Sequence, residues 1–311
     1  MVRTILFDHD GALEDFLSLM LLLTLRSPEQ KLLGVVVTPA DCYAGAAVRV
    51  TRKILDLVSA PIPVALSTVR GVNPFPPLYR RDACIIDYFP ILNEHPELSA
   101  PLVEQSGQTF FRTTLEAAKE PITLLITGPL TNLAITLQNN PAITEKITEL
   151  VWMGGALEVP GNVEKLYAPE QDGTAEWNAY WDPEAVATVW GSSIRITLCP
   201  LDITNSVPVT AEFIQQLTQQ RQYPLSDLAG LCYSLAMPQN YYCWDILATG
   251  YLGRRDLYTL REIKTSVIAS GPSQGRLLLD PNGRSIQVMT DVNRTEFFQY
   301  ILRQFTQLVP R

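Results

Sequence analysis

The sequence predicts an α/β protein: one open, mostly parallel (mixed) Rossmann-like sheet with helices on both faces and an antiparallel hairpin near the C-terminus. Three observations predict it. Apolar runs of strand length alternate with helix-length runs through most of the chain, the βαβ rhythm of a parallel sheet. The strand runs are continuously apolar rather than alternating, as strands buried on both faces require. Polar segments follow directly after these strands, at the carboxyl ends where such sheets bind ligands.

The elements come in order. TILF (4–7) reads as the first strand and EDFLSLMLLLTL (14–25) as a helix, whose apolar core 17–25 is far shorter than a membrane span and is expected to be buried. KLLGVVV (31–37) and AAVRVTRKILDLV (46–58) form the next strand and helix, and PVAL (63–66) a third strand. ITLLIT (122–127) with LTNLAITL (130–137), then ELVWM (149–153) and IRITL (194–198), extend the sheet. Beyond residue 255 the rhythm changes. YTLREIKTSVIAS (258–270) and GRLLLDPNGRSIQVM (275–289), with its Pro-Asn-Gly turn, predict the antiparallel hairpin. A last helix follows, capped by Asn293 with Glu296 three residues on. No repeat or linker interrupts the chain, which predicts a single domain over 1–311.

The bulk properties narrow the function. With 311 residues, 47% of them hydrophobic, a large core is assured. A net charge of −8 and a pI near 4.9, with no basic run, exclude a nucleic-acid partner and favour a small-molecule substrate. No membrane association is expected, and the N-terminal residues turn acidic before a signal-peptide core can form. Cys42, Cys84, Cys199, Cys232 and Cys243 are odd in number and include no CxxC, the usage of reduced thiols in a cytoplasmic protein.

The first strand runs into LFDHDGALEDF, which holds Asp8, Asp10, Glu14 and Asp15. Crowded carboxylates repel one another and are costly to desolvate, so such a turn implies a cation or a proton-handling role. All-oxygen ligation suits a hard cation, Mg²⁺ or Ca²⁺. An EF-hand would need an acid at the twelfth position from Asp8, which is Leu19. The stretch also resembles the haloacid dehalogenase-like phosphatase signature, with Asp8 as nucleophile and Asp10 as acid, but Ala12 replaces its threonine and no later acidic pair completes its metal site. Further on, Asn162, Glu176 and Asn178 lie in glycine-containing loops and supply the donors and acceptors that grip sugar hydroxyls.

DHDGALEDF, TGPLTNLA, WMGGALEVPGNV, GTAEWNAYWDP and YYCWD together resemble the nucleoside hydrolases in order and spacing, over nearly the whole chain. The resemblance implies one Ca²⁺ held by the carboxylates of Asp10, Asp15 and Asp245 and the carbonyl of Thr127, with Asp10 also the general base and Asp8 in support. It implies that Glu14, Asn162 and Asn178 bind ribose hydroxyls, that Glu176 reaches the 5′-hydroxyl, and that Met153 lies beside the substrate. Glu14 departs from the family's usual aspartate. Trp244 stands where the inosine-uridine branch has a histidine. With Asp41 and the VNPFPPLYR loop, it resembles the purine-specific branch, in which Trp244 and Tyr79 would stack on the base and Asp41 would contact it. The implied activity is hydrolysis of purine ribonucleosides to base and ribose by a homodimer or homotetramer. A catalytically weak nucleoside- or ribose-binding relative is the non-enzyme alternative.

Overall fold

The computed structural model describes residues 3–25, 30–94, 97–237 and 240–307. The chain runs β1 (Arg3–His9), α1 (Leu13–Thr24), β2 (Gln30–Val37), α2 (Ala44–Leu57), β3 (Val64–Leu66), α3 (Asp82–Asp87), α4 (Gly107–Ala117), β4 (Ile122–Ile126), α5 (Thr131–Asn139) and β5 (Ile147–Met153). It continues through α6 (Trp177–Trp181), α7 (Pro183–Trp190), β6 (Ile196–Cys199), α8 (Leu201–Thr204), α9 (Ala211–Gln219), α10 (Pro224–Ala236) and α11 (Asp245–Gly253). The last elements are β7 (Tyr258–Val267), β8 (Leu277–Leu279), β9 (Arg284–Val292) and α12 (Arg294–Phe305).

All nine strands form one sheet in the order β3-β2-β1-β4-β5-β6-β9-β7-β8. Strands β1 to β6 pair in parallel, and β9 continues that direction beside β6. The expected fold is therefore present. The chain builds outward from β1 through β2 to β3, then returns to lay β4 on the other side of β1. That reversal opens a crevice at the carboxyl ends of β1 and β4, the topological switch point at which open α/β sheets bind ligands. Helix α1 leads from this crevice and is buried from Leu13 to Leu23, so its acids enter the core with its leucines.

The antiparallel hairpin joins β7 and β8, which pair from Thr265–Leu279 to Val267–Leu277. The Pro281-Asn282-Gly283 turn does a different job from the one its sequence advertises. It carries the chain across β7, so that β9 pairs with the opposite edge. Asn293 caps α12 as expected, its side chain accepting from Glu296 N at 3.2 Å. Among the described residues no helix is long and apolar enough to cross a membrane.

A buried polar network ties the strand ends together. Asn132 on α5 donates to Asp8 and to Thr38, each at 2.8 Å, and accepts from the Ser67 hydroxyl at 2.7 Å. Thr38 in turn donates to Asp8 at 2.7 Å. One amide thus holds the ends of β1, β2 and β3. Replacing it strands buried partners without hydrogen bonds, at about 1–3 kcal/mol. Asn132→Ala should lower the melting temperature by about 2–5 °C; an unchanged melting temperature would contradict the role given to the network.

Candidate active site

Every strand from β1 to β6 delivers a polar segment to one end of the sheet, and the side chains converge on a cavity of about 540 Å³. Gly11 makes the first turn possible. Its φ of +80° belongs to the left-handed region, and a Cβ there would lie 2.7 Å from the Cβ atoms of Ala47 and Cys42. Gly128, after β4, lets that strand end approach Asp10, since a Cβ would sit 2.8 Å from the Asp10 Cβ.

The structure brings together most of the expected residues. Asp10, Glu14, Asp41, Tyr79, Thr127, Met153, Asn162, Glu176, Asn178, Trp244 and Asp245 all line the cavity. Asp15 stands behind them. Its Oδ1 accepts from the Thr127 hydroxyl, and its Oδ2 accepts from Ala12 N at 2.8 Å, fixing the start of α1. Asp8 does not line the cavity, because Thr38 and Asn132 engage both of its oxygens. A nucleophilic Asp8, and with it the phosphatase reading, has no access to substrate. His9 is also turned away: its ring stacks on Phe7 at 5.1 Å, accepts from Gly11 N and bonds Thr51. His95, the second of the two histidines, lies outside the described residues.

The acids are buried and act on one another. Burial, then Asp15 and Asp41, push the Asp10 carboxyl well above the usual range, and it shares a hydrogen bond with Asp15. Asp245 is raised by burial and then by Asp15 and Glu14, and Asp41 by burial and then by Asp15. Burial also lifts Asp8 and Glu14 to about 7, against the hydrogen bonds that favour their charged forms. Asp10 Oδ2 and Asp41 Oδ1 are buried without any partner.

That orphaned pair of oxygens tests whether the residues suit a metal. A buried carboxylate oxygen with no donor is costly, and a hard divalent cation is the partner an all-oxygen set favours. The donor set fits. As the side chains stand, no three Asp, Glu, His or Cys groups among the described residues close on one point, and Asp10 and Asp15 share a hydrogen bond instead. Three carboxylates would ligate one ion only after side-chain rotation.

The sugar-binding candidates are set rigidly. Glu176 is the N-cap of α6, accepting from Gly155, Asn178 and Ala179 backbone N–H groups at 2.8–3.1 Å. Asn178 Nδ2 donates to the carbonyls of Thr127 at 2.9 Å and Met153 at 3.2 Å. Asn162 Oδ1 accepts from Trp177 N at 3.1 Å. Trp244 stands edge-on to Tyr241, with centroids 4.6 Å apart, and its Nε1 is unpartnered.

Sequence reasoning missed several cavity residues, Trp177 and Glu164 among them. Trp177 walls the cavity, stacked on Phe75 at 5.2 Å. Glu164 accepts from the Tyr79 hydroxyl and, at 3.2 Å, from Trp177 Nε1, joining the Tyr79 segment to the start of α6. Tyr79 consequently lies edge-on to Trp177 and Tyr167. The conspicuous Trp177 indole, which needs an acceptor when buried, was the only hint of Glu164.

The family profile described as inosine-uridine preferring nucleoside hydrolase matches residues 5–299. The non-specific ribonucleoside hydrolase RihC of Escherichia coli O157:H7 is 33% identical over 207 residues, covering 64% of this chain and 65% of that protein. The similarity thus spans somewhat less than two thirds of that curated relative. The crystal structure of an inosine-uridine preferring nucleoside hydrolase from Bacillus anthracis superposes with a TM-score of 0.94 at 42% identity, over 99% of this chain and 100% of that one. A purine-preferring ribonucleoside hydrolase from Gardnerella vaginalis shares the fold, with a TM-score of 0.78 at 24% identity over 98% of both chains. A profile that runs over residues 5–299, together with a fold that matches along its whole length, places the chain in the inosine-uridine preferring nucleoside hydrolase family.

Proposed function

We propose that the protein hydrolyses the N-glycosidic bond of purine ribonucleosides to free base and ribose, and that it holds one Ca²⁺. The observation that carries the reading is the composition of one cavity: buried carboxylates with open oxygens, carboxamides fixed by backbone, aromatic rings, and no histidine among its described lining residues. Asp10, Asp15, Asp245 and the Thr127 carbonyl would hold the ion. The chemistry supplied by such an ion would be to lower the pKa of a water molecule and to attract the vicinal hydroxyls of the sugar.

Asp10 takes the proton of the attacking water at its open Oδ2. Cleavage leaves positive charge on the sugar ring, which the carboxylates of Asp10, Glu176 and Asp245 stabilise. Asn162, Asn178 and Glu176, each pinned by backbone hydrogen bonds, hold the ribose hydroxyls in register with the water. Trp244 offers its ring to the base, and Asp41 Oδ1 accepts a hydrogen bond from the base edge. Stacking raises the basicity of the purine's imidazole nitrogen, which then takes its proton from water, so no acidic side chain is required.

The relatives divide on substrate. The name of the Bacillus anthracis protein includes uridine, and that of the Escherichia coli relative is non-specific. For this chain the lack of a histidine beside Trp244 favours purines, because a pyrimidine has no imidazole nitrogen to protonate.

Incubation with inosine, adenosine, guanosine and uridine should release ribose faster from the purines, and EGTA should abolish release. Faster cleavage of uridine would contradict the account of the leaving base, and chelator-resistant release would contradict the metal. Asp10→Asn should lower kcat by about 10²–10⁴-fold with a smaller change in KM. Trp244→Ala should lower kcat/KM for inosine by about 10–100-fold. Ligand-induced thermal stabilisation without any turnover would identify a binding relative instead of an enzyme.

A further inference from the structure

We infer that Glu14, acting with Tyr233, is a positioning residue that caps helix α11 from outside and thereby sets Asp245 and Trp244. The inference rests on the proposed function for its catalytic consequence, though the cap itself does not. Helix α11 begins at Asp245, and its N-cap is Trp244, whose side chain offers no acceptor. The first N–H groups of a helix need acceptors from elsewhere. Glu14 supplies one across the core: its Oε2 accepts from Ile246 N at 3.1 Å, from a position 232 residues away in the chain. Its Oε1 accepts from the Tyr233 hydroxyl on α10. One carboxyl group therefore joins α1, α10 and α11.

Both residues of the pair are buried. Tyr233 extends the linkage toward the base site. Its ring lies edge-on to Tyr241 at 6.4 Å, and Tyr241 lies edge-on to Trp244 at 4.6 Å. The two residues that follow from this bracing, Trp244 and Asp245, are those proposed to meet the base and the metal.

The reach of the side chain explains why glutamate stands where the family usually has aspartate. Shortening it by one methylene withdraws the carboxylate by about 1.5 Å. A 3.1 Å contact would then exceed hydrogen-bond length unless the helices moved. Glu14→Asp restores the family residue and removes the cap.

The test uses the full chain and compares wild type with Glu14→Asp, Glu14→Gln, Tyr233→Phe and the double variant Glu14→Asp/Tyr233→Phe. Calorimetric titration with Ca²⁺ alone should show about 10-fold weaker binding in Glu14→Asp, with kcat for inosine falling in parallel. Glu14→Gln, which keeps the length and an acceptor, should stay closer to wild type than Glu14→Asp does. Tyr233→Phe should cost less, and the double variant should be no worse than Glu14→Asp. Hydrogen exchange at the Ile246 amide should quicken by about 10-fold in Glu14→Asp and little in Glu14→Gln. Wild-type Ca²⁺ affinity and equal or higher activity in Glu14→Asp would overturn the inference, as would additive effects of the two substitutions. Unchanged exchange at Ile246 would overturn the cap itself, whereas quickened exchange in a chain that neither binds Ca²⁺ nor cleaves nucleosides would uphold the cap and sink only the proposed function.

Discussion

The rest of the site depends on one electrostatic constraint: several carboxylates are buried together at the end of a parallel sheet, and arginine reaches only the Asp41 and Asp82 side of the group. Asp10 and Asp245 are acted on by burial and by other carboxylates, whereas Asp41 feels a cation, Arg80. Desolvating like charges is among the costlier arrangements a fold can adopt. The sheet topology imposes it, because the reversal beside β1 brings the ends of β1, β2 and β4 to one place. Hydroxyls and backbone N–H groups relieve Asp8, Asp15, Glu14 and Glu176, and they leave Asp10 Oδ2 and Asp41 Oδ1 open. Those two oxygens are where chemistry remains available.

Rigidity around the open oxygens is the second theme. Glu176 caps α6, Asn178 bridges two strand-end carbonyls, and Asn132 gathers three strands. Each group is held by partners other than substrate, the preorganisation that aligns a water with a sugar carbon without further entropy loss. The aromatic side of the cavity is organised differently. Glu164 links Tyr79 to Trp177 at the start of α6, and Trp244 leans on Tyr241. Stacking surfaces there are set by side-chain contacts, while Glu176 and Asn178 are set by backbone.

Much of this was legible in the sequence. The strand-helix rhythm gives the parallel order because strands buried on both faces must be continuously apolar, and the site follows because polar residues just after strands have one place to go. Glycine at position 11 marks a turn only glycine can take. Long-range partners were not legible. Glu14 looks like a cavity acid until Tyr233 and Ile246, more than two hundred positions away, claim its oxygens. Glu164 looks like loop charge until two rings from separate stretches of the chain, Tyr79 and Trp177, meet it. The Pro-Asn-Gly turn reads as a tight hairpin because local turn chemistry does not reveal which edge of β7 the next strand will join.

The central claim, that these buried acids exist to hold one divalent ion against a ribose, is tested most directly by crystallography of the protein grown in Ca²⁺ with a ribose-containing inhibitor. The account predicts a single anomalous peak touching Asp10, Asp15, Asp245 and the Thr127 carbonyl, with the inhibitor's vicinal hydroxyls completing its shell. A site with no ion at saturating Ca²⁺, and Asp10 still hydrogen-bonded to Asp15, would contradict it.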